Sequence, residues 1–148
     1  MRVLTQRVSR ATVRVGDTAV GQIELGLVIL VGVGHGDDER TAAALAGKVA
    51  DLRIFRDEAG KTNRSLLDVG GAALVISQFT LYADTGKGRR PSFLDAAAPD
   101  LGKALYECFA RALVERGVHV ERGVFGAEMA VELVNDGPMT IWLDSAAT

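Results

Sequence analysis

Two polar stretches interrupt apolar, strand-like segments of this sequence. The first, Ser77 to Asp84, brings hydroxyl and amide side chains directly after the apolar run 73–76. The second, Asn135 to Thr140, interrupts the C-terminal strand region in the same way. A polar group within a strand costs free energy unless it is paired, so each stretch is either a satisfied hydrogen-bond network or a site. Two such interruptions in one short chain predict one shared pocket.

The first stretch offers hydroxyl groups without an obvious base. Ser77 and Thr80 have no histidine or carboxylate at a spacing that predicts a catalytic triad. Hydrogen bonding of these hydroxyls to the neighbouring backbone is one interpretation. Hydrolysis stays open by another route, because backbone N–H groups can stabilise an oxyanion without any titrating side chain.

The second stretch contains Gly137-Pro138 inside a strand region. Proline removes a donor from the strand ladder and belongs at edges or bulges, so an ordinary edge turn is the interpretation that the residues alone favour. An X-Pro bond can also adopt the cis form at modest cost. In that form the two carbonyl groups point in one direction and make a rigid pair of acceptors.

Three basic residues, Lys87, Arg89 and Arg90, lie in the glycine-rich segment 85–93. They could contact phosphate groups, although a solvated loop explains them equally well. The net charge of −2 and the pI of about 5.7 lack the basic footprint of most nucleic-acid-binding domains. Any contact with RNA is therefore expected to be local.

No metal or cofactor is predicted. The two histidines, His35 and His119, and the single cysteine, Cys108, show no metal-ligand spacing. Gly32 and Gly34 suggest a dinucleotide-binding turn, but Asp37 stands where that fingerprint needs its third glycine, and the pattern predicts no later βαβ series. The N-terminal segment lacks the apolar core of a signal peptide and no run is long enough to span a membrane, which predicts a cytoplasmic protein.

The elements that must position these residues form a single α+β domain over residues 1–148, with two helices packed on a curved sheet or partial β-barrel. The first strand is expected to be bulged near Ser9 and Arg10, and a turn at Gly16-Asp17 to lead into the second. The aliphatic third strand should be covered on both faces. Strands are predicted over 3–15, 18–23, 25–33, 53–55, 73–76, 118–121, 127–134 and 140–144, and helices over about 37–52 and 99–117.

These motifs resemble those of the D-aminoacyl-tRNA deacylase family. Ser77 to Asp84 is similar to one signature of that family, and Asn135 to Thr140 is similar to the other. Further similar segments follow in the expected order along the whole chain: Arg7-Val8, 52–55, Gly60-Lys61, Asn63, 90–93 and 125–129. The sequence departs from the family at Met139, where valine is usual, and in the loop 86–89.

The resemblance implies hydrolysis of the ester that joins a D-amino acid, or glycine, to tRNA, without a cofactor. It implies a homodimer with the pocket at the subunit interface, and a cis Gly137-Pro138 that enters the partner's pocket, contacts the substrate amino group and leaves no room for an L side chain. The resemblance implies three groups of site residues. The aminoacyl-adenosine end of tRNA is bound by Ser77, Gln78, Phe79 and Thr80, and the segment that excludes L side chains consists of Gly137, Pro138, Met139 and Thr140, held by Arg7. The rest of the tRNA is contacted by Lys87, Arg89 and Arg90.

Two mechanisms and one other function stay open. Either Thr80 is the nucleophile, or the 2′-hydroxyl of the tRNA acts together with backbone donors near Phe79. The absence of a base beside Thr80 favours the RNA-assisted version. The alternative function is a non-catalytic dimeric module that binds RNA or a small ligand.

Overall fold

The computed structural model describes residues 1–147. A mixed sheet has the strand order β2-β1-β3-β6-β7, with β8 paired to β1, and a separate hairpin joins β4 and β5. The strands are β1 (Arg2–Val15), β2 (Thr18–Ile23), β3 (Gly26–Gly32), β4 (Phe55–Arg56), β5 (Thr62–Arg64), β6 (Ala72–Ser77), β7 (His119–Arg122) and β8 (Ala130–Asp144). The helices are α1 (Glu39–Asp51) and α2 (Pro99–Glu115), and short 3₁₀ turns occupy Phe79–Tyr82 and Ser145–Ala147.

The long strand β1 organises the sheet. Its first half pairs with β3 and its second half with β2, while β8 pairs along the opposite edge. The register with β8 shifts between Val8 and Arg10, which confirms the predicted break. Because the strand bends there, β2 curls over to contact β6 and β7, and the sheet becomes a nearly closed barrel.

Helices α1 and α2 form two parallel crossovers. Strand β3 pairs in parallel with β6, and β6 pairs in parallel with β7. The expectation that no βαβ series follows the glycine segment is therefore wrong. The sequence pattern did not reveal the series because the β4–β5 hairpin separates α1 from β6, and the basic loop separates β6 from α2. Asp37 still occupies the position of the third fingerprint glycine, and its Oδ2 accepts from Gly34 N at 2.7 Å.

The core lies on both faces of the sheet. Leu45 and Val49 of α1 and Phe109 of α2 pack on one face, and Val13 and Leu74 are buried inside the barrel. Both helices lie within the predicted ranges, although α1 begins at Glu39, with Asp38 as its N-cap, and not at residue 37. Pro99 stands in the first turn of α2, and Gly117 follows α2 with a φ of +92°. None of the helices within residues 1–147 is long and apolar enough to cross a membrane.

Strand β8 is one element, whereas the sequence predicted two strands over 127–134 and 140–144. Asn135 pairs with Val8 and Thr140 with Gln6, so residues 136–139 stand opposite Arg7 alone. The polar stretch is thus an excursion from a strand whose two flanks keep their pairing with β1. Within the described chain β1 is the only strand that pairs with β8, so the other edge of β8 is exposed.

Candidate active site

The first polar stretch forms a bend at the end of β6. The strand stops at Ser77, and the backbone then turns through Phe79–Tyr82. Gln78 N donates to Val31 O at 2.7 Å, and the Gln78 Nε2 donates to the Thr80 Oγ1. The first N–H groups of a helical turn have no partner within it, so this geometry leaves backbone donors at the start of the turn.

Two cavities flank this bend. One has a volume of about 390 Å³ and lies between the ends of β3 and β6 and the start of α2; the other measures about 320 Å³ and lies toward the start of β8. Ser77, Gln78 and Phe79 line both. The ring of Phe79 is 58% exposed and meets Phe93 edge-on, with the ring centroids 5.1 Å apart.

The walls of the cavities are nearly free of titratable groups. The larger cavity is lined by no Asp, Glu, His, Lys or Arg of residues 1–147, and the smaller one by Glu128 alone. No group of three or more potential metal ligands occurs in the described part of the chain. His35 Nε2 lies 2.6 Å from Leu94 O and His119 Nε2 3.0 Å from the Glu121 carboxylate, while Cys108 is buried in α2. Glu128 and Tyr106 are therefore the titratable side chains of the described walls, and backbone N–H groups are a further means of stabilising negative charge.

Arg7 and Asn135 hold the excursion of β8. The Arg7 side chain is only 2% exposed; its Nε lies 2.9 Å from the Asp136 Oδ2 and donates to Asp136 O at 3.2 Å. Its Nη1 donates to Ile54 O. Asn135 Nδ2 donates to Arg7 O at 2.9 Å and to Met139 O at 3.1 Å, which closes the neck of the excursion.

The tip of the excursion, Gly137-Pro138, is exposed. The Gly137-Pro138 bond is cis, as the resemblance implies. A Cβ atom built on Gly137 finds no atom of the described chain within 4 Å. At the base of the excursion Thr140 Oγ1 accepts from Gln6 Nε2 at 3.1 Å.

Within residues 1–147 of one chain the two polar stretches line no common cavity beside Ser77, so the shared pocket stays a prediction for two copies of the chain. No residue of 135–140 lines either cavity beside Ser77. Ser77 of β6 pairs with Val31 of β3, which in turn pairs with Val3 of β1. The excursion of β8 stands opposite Arg7, so it lies three strands from Ser77 across the sheet and four residues further along β1. With strands about 4.8 Å apart and a rise of about 3.3 Å per residue, the separation is roughly 20 Å. The pairing of β8 with β1 sets this distance, and the residue pattern within either stretch does not predict that pairing.

The basic segment is an exposed loop. Asp84 and Ser92 exchange two backbone hydrogen bonds of 2.8 and 2.9 Å, which close the loop at its base. Lys87, Arg89 and Arg90 are all exposed at its tip. Their contact with tRNA stays a prediction.

Several wall residues escaped the sequence interpretation. Tyr106 and Gly102 of α2, together with Phe125, line the larger cavity. Tyr106 belongs to the buried face of the helix, and its hydroxyl donates to Val75 O at 2.9 Å. Spacing along the helix marks such residues as core, so only the position of α2 beside the end of β6 reveals their second role.

Known proteins resemble the chain over its full length. A sequence model of the family described as D-Tyr-tRNA(Tyr) deacylase matches residues 4–144. Proteins named D-aminoacyl-tRNA deacylase from Thermomicrobium roseum and Bacillus pumilus are 66% and 58% identical, covering 99% and 98% of this chain and 95% and 99% of their own. A solved structure entitled c-Myc DNA Unwinding Element Binding Protein superposes with a TM-score of 0.91 at 35% identity, covering 97% of this chain and 98% of its own.

Proposed function

The chain belongs to the D-Tyr-tRNA(Tyr) deacylase family and is a hydrolase of ester bonds, and we propose that its substrate is a D-amino acid, or glycine, esterified to the 3′ end of tRNA. The products are the free amino acid and tRNA. Both belong to translation, so the cytoplasm is the compartment that we propose. No cofactor takes part in this scheme.

Hydrolysis at the bend is proposed to depend on the substrate's own hydroxyl. Water adds to the ester carbonyl, the bond to the ribose oxygen breaks, and the proton of the water ends on that oxygen. Backbone N–H groups at Phe79 and Thr80 stabilise the oxyanion, and the 2′-hydroxyl of the ribose assists the attack. The lack of Asp, Glu, His, Lys and Arg side chains in the described walls of the larger cavity supports this scheme over a nucleophile activated by a side-chain base.

Chiral selection is proposed to come from a second copy of the chain. In a homodimer, Gly137-Pro138 of one protomer would enter the partner's site, accept a hydrogen bond from the substrate ammonium and occupy the space of an L side chain. The observation that carries this proposal is the exposed excursion, which is held by hydrogen bonds three strands away from Ser77 in the sheet, at a separation of roughly 20 Å from strand geometry. Arg7 and Asn135 hold it in shape, and Met139 and Thr140 complete its base.

The test is the release of amino acid from tRNA charged with D-tyrosine, beside the same tRNA charged with L-tyrosine. Loss of the D ester with the L ester intact is expected. Loss of both esters would keep the hydrolase and discard the selection by Gly137-Pro138. Loss of neither, with tRNA still bound, would support a non-catalytic module.

One observation favours that module as a second candidate. The related solved structure at 35% identity is entitled a DNA-element-binding protein, and Lys87, Arg89 and Arg90 are exposed here. A binding module predicts that loop variants weaken tRNA binding with a reduced salt dependence, and that no turnover accompanies binding.

A further inference from the structure

Arg2, at the start of β1, joins the bend of the candidate site to strand β8. Its Nη1 donates to Leu81 O at 3.0 Å, and its Nε donates to the Asp144 Oδ2 at 3.2 Å. The guanidinium carbon lies 4.4 Å from the centre of the Tyr82 ring and 5.9 Å from that of Trp142. One side chain thus contacts the 3₁₀ turn and strand β8 together.

Tyr82 packs closely against two glycines at and after the end of β3. A Cβ atom at Gly34 would lie 2.6 Å from the Tyr82 hydroxyl, and one at Gly32 would lie 3.3 Å from its ring. The hydroxyl donates to the Asp37 Oδ2 at 3.5 Å, and that oxygen also accepts from Gly34 N at 2.7 Å. The Tyr82 side chain therefore lies close to the backbone at Gly32 and Gly34 and also contacts the Arg2 guanidinium.

The turn that bears Phe79 and Thr80 depends on such outside contacts. It spans only Phe79–Tyr82, and its backbone bonds include Leu81 N to Gln78 O at 3.2 Å and Ala83 N to Thr80 O at 3.0 Å. The last carbonyl groups of a helical turn have no partner within it. Arg2 supplies a charged donor to one of them, and hydrogen bonds to charged groups are the stronger ones.

We propose that Arg2 is a positioning residue for the deacylation reaction, which holds the end of the turn at Leu81 and Tyr82 and thereby fixes Phe79 and Thr80 at its start. This inference rests on the proposed function of the bend. A four-residue turn moves as one unit, so loss of the Arg2 contact displaces the backbone donors from the oxyanion. The predicted defect lies in the chemical step, because Arg2 lines neither cavity beside the bend.

The test compares Arg2→Leu with Arg111→Leu, a variant of an exposed arginine on α2 that pairs only with Glu115 at 3.8 Å among the ion pairs of the described chain. With D-tyrosyl-tRNA we expect Arg2→Leu to lower kcat about tenfold and to change KM less than about twofold. Amide hydrogen exchange across residues 79–83 should become about tenfold faster. Arg111→Leu should change neither quantity, and Arg2→Lys, which keeps a charged donor, should restore most of kcat.

A second variant, Tyr82→Leu, removes the ring while leaving Arg2 in place. It provides the test if Arg2→Leu does not fold. It should show the same fast exchange and the same fall in kcat. Unchanged exchange or unchanged kcat in folded variants at both positions would overturn the proposal, as would a rise in KM that accounts for the whole loss. Exchange is measured without substrate, so faster exchange in a protein that deacylates no tRNA would refute the proposed function while the structural link of Arg2 to the turn stands.

Discussion

Thr80 has a hydroxyl group close to the cavities, but this position alone does not make it the nucleophile. Its Oγ1 accepts a hydrogen bond from the Gln78 amide, and no base of residues 1–147 hydrogen-bonds to it. We therefore expect Thr80→Ala to keep kcat for D-tyrosyl-tRNA within about tenfold of the wild type, whereas loss of a true nucleophile costs about a thousandfold or more. Thr18→Ala, an exposed change on β2, serves as the control. A collapse of activity in Thr80→Ala alone would restore the side-chain mechanism.

Gly137 gives a sharper test at the same scale, because its own chain leaves room for a methyl group. A Cβ there meets no described atom within 4 Å, so Gly137→Ala should leave the unfolding temperature unchanged. If the partner's substrate lies against this residue, overpacking should cost about 1–3 kcal/mol, or roughly 5–150-fold in kcat/KM for the D ester. Gly36→Ala, equally open, is the matched control. Equal rates in both variants would place Gly137 outside the site.

Among the elements, β8 depends on Asn135 to close its excursion. Asn135→Ala leaves Arg7 O and Met139 O without their shared donor, and we expect a loss of about 1–3 kcal/mol in the free energy of unfolding. Urea denaturation measures this, with Gln22→Ala, an exposed change on β2, as the control. Deacylation should fall as well, since a loosened excursion no longer presents Gly137-Pro138 in one arrangement. A loss of stability with full activity would separate the excursion from the reaction.

The two elements that contain the tyrosines should make the fold less stable at alkaline pH. Burial chiefly raises the pKa of Tyr82 in the 3₁₀ turn and of Tyr106 in α2 from 10.0 to about 12. The folded chain then holds protons that the unfolded chain releases, so the free energy of unfolding is unaffected below pH 10 and falls as the pH rises from about 10 to 12. Tyrosinate absorbance of the folded protein should titrate near pH 12. Tyr82→Phe should remove part of the alkaline loss; a midpoint near 10 would contradict the buried setting.

Element types were predictable where a local pattern carries the cause. The aliphatic run of β3, the turn at Gly16 with its φ of +58° and the presence of the two helices all follow from neighbours within a few residues, and each is confirmed. The continuity of β8 was not predictable. Its flanks stay in one strand because β1 pairs with both, and that partner lies more than a hundred residues away in the sequence.

At the scale of the whole molecule, the sequence carried both motifs of the site but not their separation. Each motif was recognisable from its own residues, since polar groups and Gly-Pro are unusual in strands. Their relation depends on the sheet, which places Ser77 and the β8 excursion at different rows and on strands that are not neighbours. If both stretches act in one site, as we propose, a second copy of the chain must bring them together.

That arrangement makes a mixing experiment decisive. Phe79→Ala damages the cavity and Gly137→Ala the excursion, and each homodimer carries its defect twice. In a symmetric dimer with sites shared between protomers, random exchange of the two variants forms heterodimers in which one site combines two intact halves, so about a quarter of the wild-type sites should return. Deacylation of D-tyrosyl-tRNA by the equimolar mixture should then exceed the average of the two variants alone. If the whole site lay within one chain, mixing would give only that average, and a monomer in sedimentation at assay concentration would refute the shared site directly.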